Sequence, residues 1–253
     1  LNNYINLWLD AENTPSQEFN IKKLKTSFAN IKLIQSLLIY DYVGNDDLYS
    51  KTSAQILKQP KLGRYHFFHS IYLIKKNKID EAEQIIKRQL LEDPNNLLMR
   101  QSYISLKEGN SSFFTKNYNS KDVNHGISEL LYLFANVVQQ QDQIDLSKLF
   151  VSLSNYLNPR FISNKLLNFE NYSLQNENYY DEELSLSVAS LGSEFYWYIN
   201  FNKLLRDREK DKTQVLPEGL KKNLSESKYF KFSKLIDLAN YYRSNKEYNI
   251  SLD

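Results

Sequence analysis

Apolar residues recur along this chain at helical intervals. Ile31, Ile34, Leu37 and Leu38 share one side of a helical spiral, as do Ala82, Ile85, Ile86 and Leu90, and again Leu146, Leu149, Phe150, Leu153 and Leu157. Polar breaks such as Lys76-Asn77-Lys78 and Gln139-Gln140-Gln141-Asp142 separate the runs. The breaks are regular. Ser36, Leu48 and Pro60 are spaced by twelve and twelve residues; Ser70, Ala82 and Pro94 repeat that spacing 34 residues later, and Ala135, Ser147 and Pro159 repeat it again. Each unit predicts two helices joined by a short turn and closed by a proline.

The residue types fit that layout. Two helices of a hairpin approach to the near end of the usual separation, about 8–10 Å, only where a side chain is small at the crossing, which Ser70 and Ala82 would provide. Pro94 and Pro159 end the second helix, because proline has no backbone donor and biases its predecessor away from helical dihedrals. Asp80, Glu81 and Glu83 fall in the first turn of a second helix, where the positive helix end favours them. Asp46-Asp47 and Asp181-Glu182-Glu183 are placed in the same way before expected helices. The stretch Ser111 to His125 reads as a shortened helix and a loop, and Pro217 with Gly219 as a loop or a helix start.

In this pattern the chain resembles the tetratricopeptide repeat. Gly63 to Asn96 carries Asp80-Glu81-Ala82 at the opening of its second helix and Asp93-Pro94-Asn95 at its end. Ser128 to Phe161 carries Phe134-Ala135, Ser147, Ser154 and Asn158-Pro159. Leu235, Leu238, Ala239, Tyr242, Lys246-Glu247-Tyr248 and Ser251 reproduce a first helix, a turn and the start of a second. Leu48 is larger than the family's alanine, and Phe169 and Asp181 stand where small residues are expected. Leu130 to Leu133, Leu149 to Pro159 and Phe195-Tyr196-Trp197 are also similar to a group of bacterial, alphaproteobacterial-type repeat proteins that brings no activity with it.

The resemblance implies an all-α, right-handed α-solenoid of about six or seven stacked helix pairs. A partial N-terminal helical unit would occupy 1–28 and the repeat domain 29–253, with its best units at 29–62, 63–96, 128–161, 162–195 and a truncated 232–253. The first helices of stacked pairs line a concave groove that accepts a peptide or a partner helix. Its outward positions would be Arg64, Phe67, Ile71 and Lys75, then Tyr132, Asn136, Gln139 and Gln140, then Ile236, Asn240 and Arg243. Asn136 and Asn240 match the asparagine of the family's carboxylate clamps, but Tyr132 and Ile236 replace the accompanying lysine. The expected function is a non-catalytic scaffold for another protein or peptide.

Composition narrows the rest. With 6 Gly and 5 Pro in 253 residues the chain has too few turn-formers for a sandwich or barrel. A formal charge of +2, from 32 Lys and Arg against 30 Asp and Glu, speaks against a dedicated nucleic-acid partner. Having no Cys removes thiolate chemistry and disulfides and leaves a cytoplasmic and an exported location both compatible. No apolar run is long enough to span a bilayer. The chain starts at Leu1 without Met and stops within a unit, so a piece of a longer protein is expected.

Candidate chemistry is thin. His66 and His69 share a helix face, with His125 as a third nitrogen, but no further residue completes the spacing of a metal set. Gly126-Ile127-Ser128 lacks the second glycine of a nucleophile turn, and no phosphate-binding glycine motif is present. Arg206, Arg208, Lys210 and Lys212 alternate with Asp207, Glu209 and Asp211 as a solvated helix end. No catalytic residue, metal or cofactor is therefore expected. An enzyme with a pocket near His66, His69, Glu83 or His125 is one alternative. The other is a self-assembling structural or envelope component that associates through its terminal helices, where Tyr241, Tyr242 and Tyr248 would form an apolar side.

Overall fold

The computed structural model describes residues 1–13, 21, 29–175, 182–207 and 216–244. Among these residues it is all-helical, with no strand, and no helix is long and apolar enough to cross a membrane. The chain divides into two compact units, Leu1–Tyr180 and Asp181–Asp253. That division falls inside the unit expected at 162–195.

In the first unit α1 (Asn2–Asn13) precedes four helix hairpins: α2 (Ala29–Val43) with α3 (Asp46–Ile56), α4 (Gly63–Lys75) with α5 (Ile79–Glu92), α6 (Leu97–Lys107) with the short α7 (Ser112–Asn117), and α8 (Val123–Gln139) with α9 (Ile144–Leu157). A further helix, α10 (Ile162–Gln175), packs on α9 and α8. Helices α5 and α9 end just short of Pro94 and Pro159. The small residues Ser70, Ala82, Ala135, Ser147 and Ser154 are all fully buried. At the α8–α9 crossing the Ser128 and Ser154 hydroxyls lie 2.9 Å apart.

All four hairpin turns of this unit use one backbone solution. Gly44, Asn77, Gly109 and Asp142 each follow a first helix with φ of 76°, 60°, 70° and 58°. At each, the residue in the left-handed conformation bonds back three residues, and the next residue bonds back five, as Asn77 N–H does to Ile74 O (3.0 Å) and Lys78 N–H to Leu73 O (2.9 Å). Such a pair of bonds satisfies the last carbonyls of a helix and favours Gly or Asn at the left-handed position. In the 63–96 and 128–161 units the likeness extends further. Ala82 N–H to Lys78 O and Asp93 N–H to Gln89 O have counterparts in Ser147 to Gln143 and Asn158 to Ser154. Asparagines at 45 and 96 cap α3 and α6 through Leu48 N–H (3.0 Å) and Met99 N–H (3.1 Å).

Two features depart from hairpins that touch only their neighbours in sequence. Helix α2 is enclosed along six consecutive residues from Ile34 to Ile39, and it packs on α8 as well as on α1, α3 and α4. An all-round buried helix must have partners on every side. Helix α1 also lies on α8, its fully buried Trp8 ring placed where a Cβ on Gly126 would otherwise stand, with its Nε1–H donating to Gln35 Oε1 at 2.7 Å. The first hairpin is thereby closed onto the fourth. Helix α8 begins at Val123, so His125 and Gly126 lie within it, ahead of the unit start expected at Ser128.

The second unit contains α11 (Glu182–Ala189), α12 (Ser193–Asp207), α13 (Glu218–Glu226) and α14 (Lys231–Ser244). Pro217 immediately precedes α13. Trp197, Leu204, Leu216, Leu220, Leu238 and Tyr241 form its core. A buried ion pair joins Lys234 to Glu194 at 2.8 Å, with the Lys234 ammonium also donating to Asn223 and Ser227. Tyr241 belongs to that core and Tyr242 packs against it. The apolar side expected from Tyr241 and Tyr242 is thus turned inward, while Tyr248 lies outside the described residues, as do Lys246-Glu247, Ser251, Arg208 to Lys212, Asp181 and most of 14–28.

Candidate functional site

The groove positions expected from the repeat frame meet different fates. Phe67 and Ile71 are fully buried, which corrects their expected place on an open surface: Phe67 packs on Phe68, Phe113 and Phe114 in an aromatic cluster. Arg64 is drawn inward as well. Its Nε and Nη2 donate to both oxygens of Glu129 at 2.9 and 2.7 Å, and Tyr65 OH donates to the same carboxylate at 2.9 Å. The guanidinium lies 3.6 Å from the Tyr132 ring centroid and 4.6 Å from that of Phe161. The Glu129 side chain is fully buried and Arg64 is 18% exposed. Burial opposes the Arg64 charge, but Glu129 with the neighbouring Tyr132 and Tyr65 together raise its pKa above the ordinary value. Arg64 therefore ties α4 to α8 and takes Tyr132 as its stacking platform.

The other positions are engaged to varying degrees. Asn136 Nδ2 donates to Tyr132 O in its own helix at 2.9 Å. Gln139 Nε2 donates to Asn171 Oδ1 (2.9 Å), whose amide donates in turn to Ser147 Oγ (2.9 Å). Gln140 is exposed at the end of α8. Ile236, Asn240 and Arg243 are exposed on α14 of the second unit, with Arg243 Nη2 donating to Asn240 Oδ1 at 2.9 Å.

What the sequence reading missed is the orientation of α9. Its buried residues are Ser147, Val151 and Ser154, with Val151 packed against Ala135 and Leu167. Of the apolar stripe, Phe150 packs against Ala135, Val151 and Leu167, whereas Leu146, Leu149 and Leu153 are turned out, with Tyr156 beside them, at 41%, 54%, 45% and 84% exposed. These four lie along one line of the helix. The signal was present in the small residues, since Ser147 and Ser154 can sit at a tight crossing only by displacing the larger side chains to the opposite face.

A concavity lies where the end of α4, the α7–α8 connection and the α9–α10 turn meet. This cleft of about 480 Å³ includes Lys75, Lys116, Tyr118, His125, Asn158 and Arg160 in its wall. Its base is held by Asn117, whose backbone carbonyl accepts from Asn158 Nδ2 and whose side-chain oxygen accepts from Ile162 N–H, both at 3.0 Å. Lys75 Nζ donates to Ser120 Oγ at 2.6 Å and stands 3.8 Å from Asp41. Burial pushes the Lys75 ammonium down and the Asp41 carboxyl up, each partly countered by the other.

The histidines are held singly. His69 Nδ1 lies 3.1 Å from Tyr49 OH, and burial pushes its imidazole down to about 4. His66 is buried with Nε2 3.5 Å from Ile56 O. His125 Nδ1 accepts from Asn119 N–H at 2.9 Å. Among the described residues no group of three or more His, Asp or Glu is placed to hold a metal ion. Glu83, the carboxylate considered beside these histidines, pairs with Lys87 and Lys107, both at 2.6 Å.

No protein-family model, curated protein or solved structure matches this chain.

Proposed function

We propose that the chain is a non-catalytic interaction protein built from tetratricopeptide-like hairpins, with its partner docking on the outward face of α9. The observation that carries this reading is the line of Leu146, Leu149, Leu153 and Tyr156, exposed on a helix whose opposite face is firmly packed. Contiguous exposed apolar side chains of this kind mark interaction surfaces, and their spacing suits an amphipathic partner helix or peptide laid against them. The shared turn geometry at Gly44, Asn77, Gly109 and Asp142 supports the repeat reading, and a right-handed superhelical arrangement of the pairs is part of the proposal. The expected groove contributes less, because Arg64, Phe67 and Ile71 are committed to packing.

The test is capture of partners from native lysate with the wild-type chain and with Leu149→Asp and Leu153→Asp. These positions are exposed, so the helical circular dichroism should be unchanged while specifically captured protein is lost. Retention of the same protein by both variants would refute the α9 assignment. One observation favours a second reading, self-association through the second unit. On α14, Phe232, Leu235 and Ile236 are exposed, Phe232 to 75%. Concentration-dependent mass, abolished by Phe232→Asp, would support that reading over a monomeric binder.

A further inference from the structure

The cleft between α4, the α7–α8 connection and the α9–α10 turn is rich in hydrogen-bond donors. Lys75, Lys116 and Arg160 bring three cations to it, against Asp122 as the carboxylate in its wall and Asp41 standing behind Lys75 at 3.8 Å. Asp122 is already occupied: its Oδ1 accepts from Asn124 N–H at 3.0 Å as the cap of α8, and Oδ2 lies 3.7 Å from His125 Nε2. Because His125 Nδ1 accepts from Asn119 N–H, the neutral ring carries its proton on Nε2. Two buried polar atoms of wall residues, the Tyr118 hydroxyl and Asn158 Oδ1, lack a hydrogen-bond partner among the described residues. A buried polar group without a partner is costly, so a ligand hydroxyl that reaches either atom is favoured.

We propose that this cleft binds a small phosphate monoester with a hydroxylated body. Lys116, Arg160 and Lys75 hold the phosphoryl oxygens, and Tyr118 and Asn158 meet a hydroxyl of the body. Set against Asp122 and Asp41, the three cations leave one net positive charge. That favours an anion, and a phosphate monoester brings three strong acceptor oxygens to the three cationic donors, where a monocarboxylate brings two. The volume of about 480 Å³ lies within the range of ligand clefts and exceeds what a bare ion fills. The Tyr118 and His125 rings, 5.9 Å apart, offer flat surfaces to the carbon skeleton.

Calorimetric titration of the full chain with glycerol 3-phosphate, ribose 5-phosphate, inorganic phosphate and malate tests the proposal. The expected result is saturable binding of at least one ester, tenfold or more tighter than inorganic phosphate or malate. Arg160→Gln and Lys116→Gln, both at exposed positions, should each weaken it at least tenfold. Tyr118→Phe should weaken the ester severalfold and leave inorganic phosphate unchanged. No saturable binding of either ester overturns the proposal, as do esters no tighter than inorganic phosphate, which would mean an adventitious ion only. Malate binding as tightly as the ester, or affinity indifferent to Arg160→Gln, Lys116→Gln and Tyr118→Phe, overturns it equally. None of these outcomes bears on partner docking at α9.

Discussion

Arg64 and Glu129 show how a charged residue becomes architecture. The pair is bidentate, Tyr65 completes the carboxylate's shell, and aromatic rings cover the guanidinium. Removing one member of such a pair strands a buried charge, at a cost of about 3–5 kcal/mol. Arg64→Met should accordingly lower the urea midpoint sharply, and Arg64→Met with Glu129→Leu should restore most of the loss; a double variant as unstable as the single one would contradict this account. Glu170 supplies a pH test. Burial pushes its carboxyl up from 4.5 to about 7. Between those values the unfolded chain has released its proton while the folded chain keeps it, so this group's contribution to stability falls as pH rises across that window and levels off above it. Glu170→Gln removes the dependence. The stability of the variant relative to wild type should grow from pH 4.5 to pH 8 by up to roughly 3 kcal/mol, read from paired denaturation curves. The opposite trend expected of the buried histidines cancels in that difference.

At the scale of elements, the hairpins α2–α3, α4–α5 and α8–α9 were legible because several independent signals coincide, namely apolar periodicity, small residues, polar turns and terminating prolines, whereas the α6–α7 hairpin lacks the proline and the small-residue spacing and was not. The turns also carry a direct test. Asp142 occupies a left-handed position with φ of 58°, which suits glycine best, is tolerated by aspartate and is strained for β-branched residues. Asp142→Gly should raise stability by about 0.5–1 kcal/mol, and Asp142→Val should lower it, both measured by thermal melting. The facing of α9 was not legible by the same means. Its sequence holds two candidate faces, one of leucines and one of serines with Val151, and hydrophobicity favours burying the first. The tight Ser128–Ser154 crossing and Asn164, which approaches Ser154 Oγ at 2.9 Å, select the second. Asn164 belongs to the next helix, so the deciding contact lies outside the hairpin that the periodicity describes.

Within the first unit, closure of α1 and α2 onto α8 was the least visible feature, since it joins α8 to helices far earlier in the chain. Trp8 against Gly126 is its tightest point, and nothing local to either residue announces the other. An added methyl at Gly126 would strike a rigid, fully buried ring. Gly126→Ala should therefore destabilise the first unit by about 1–3 kcal/mol, although alanine is ordinarily the better helix former. Hydrogen exchange would report faster opening of α1. Unchanged or increased protection would remove the closure from this account. The candidate site was read only in part for the same reason. The turn residues and Lys75 were visible, whereas the cleft is assembled from three separate stretches of chain and the proposed docking face depends on which side of α9 the neighbouring helices claim.

The most direct measurement of the central claim is site-specific photo-cross-linking in native lysate, with the reactive group placed in turn at Leu149, Leu153, Gln140 and Asn240. Docking on the outward face of α9 predicts discrete cross-linked species from positions 149 and 153 and little from 140 or 240. Cross-links confined to Gln140 and Asn240, with none from α9, would return the partner to the expected groove and contradict the account.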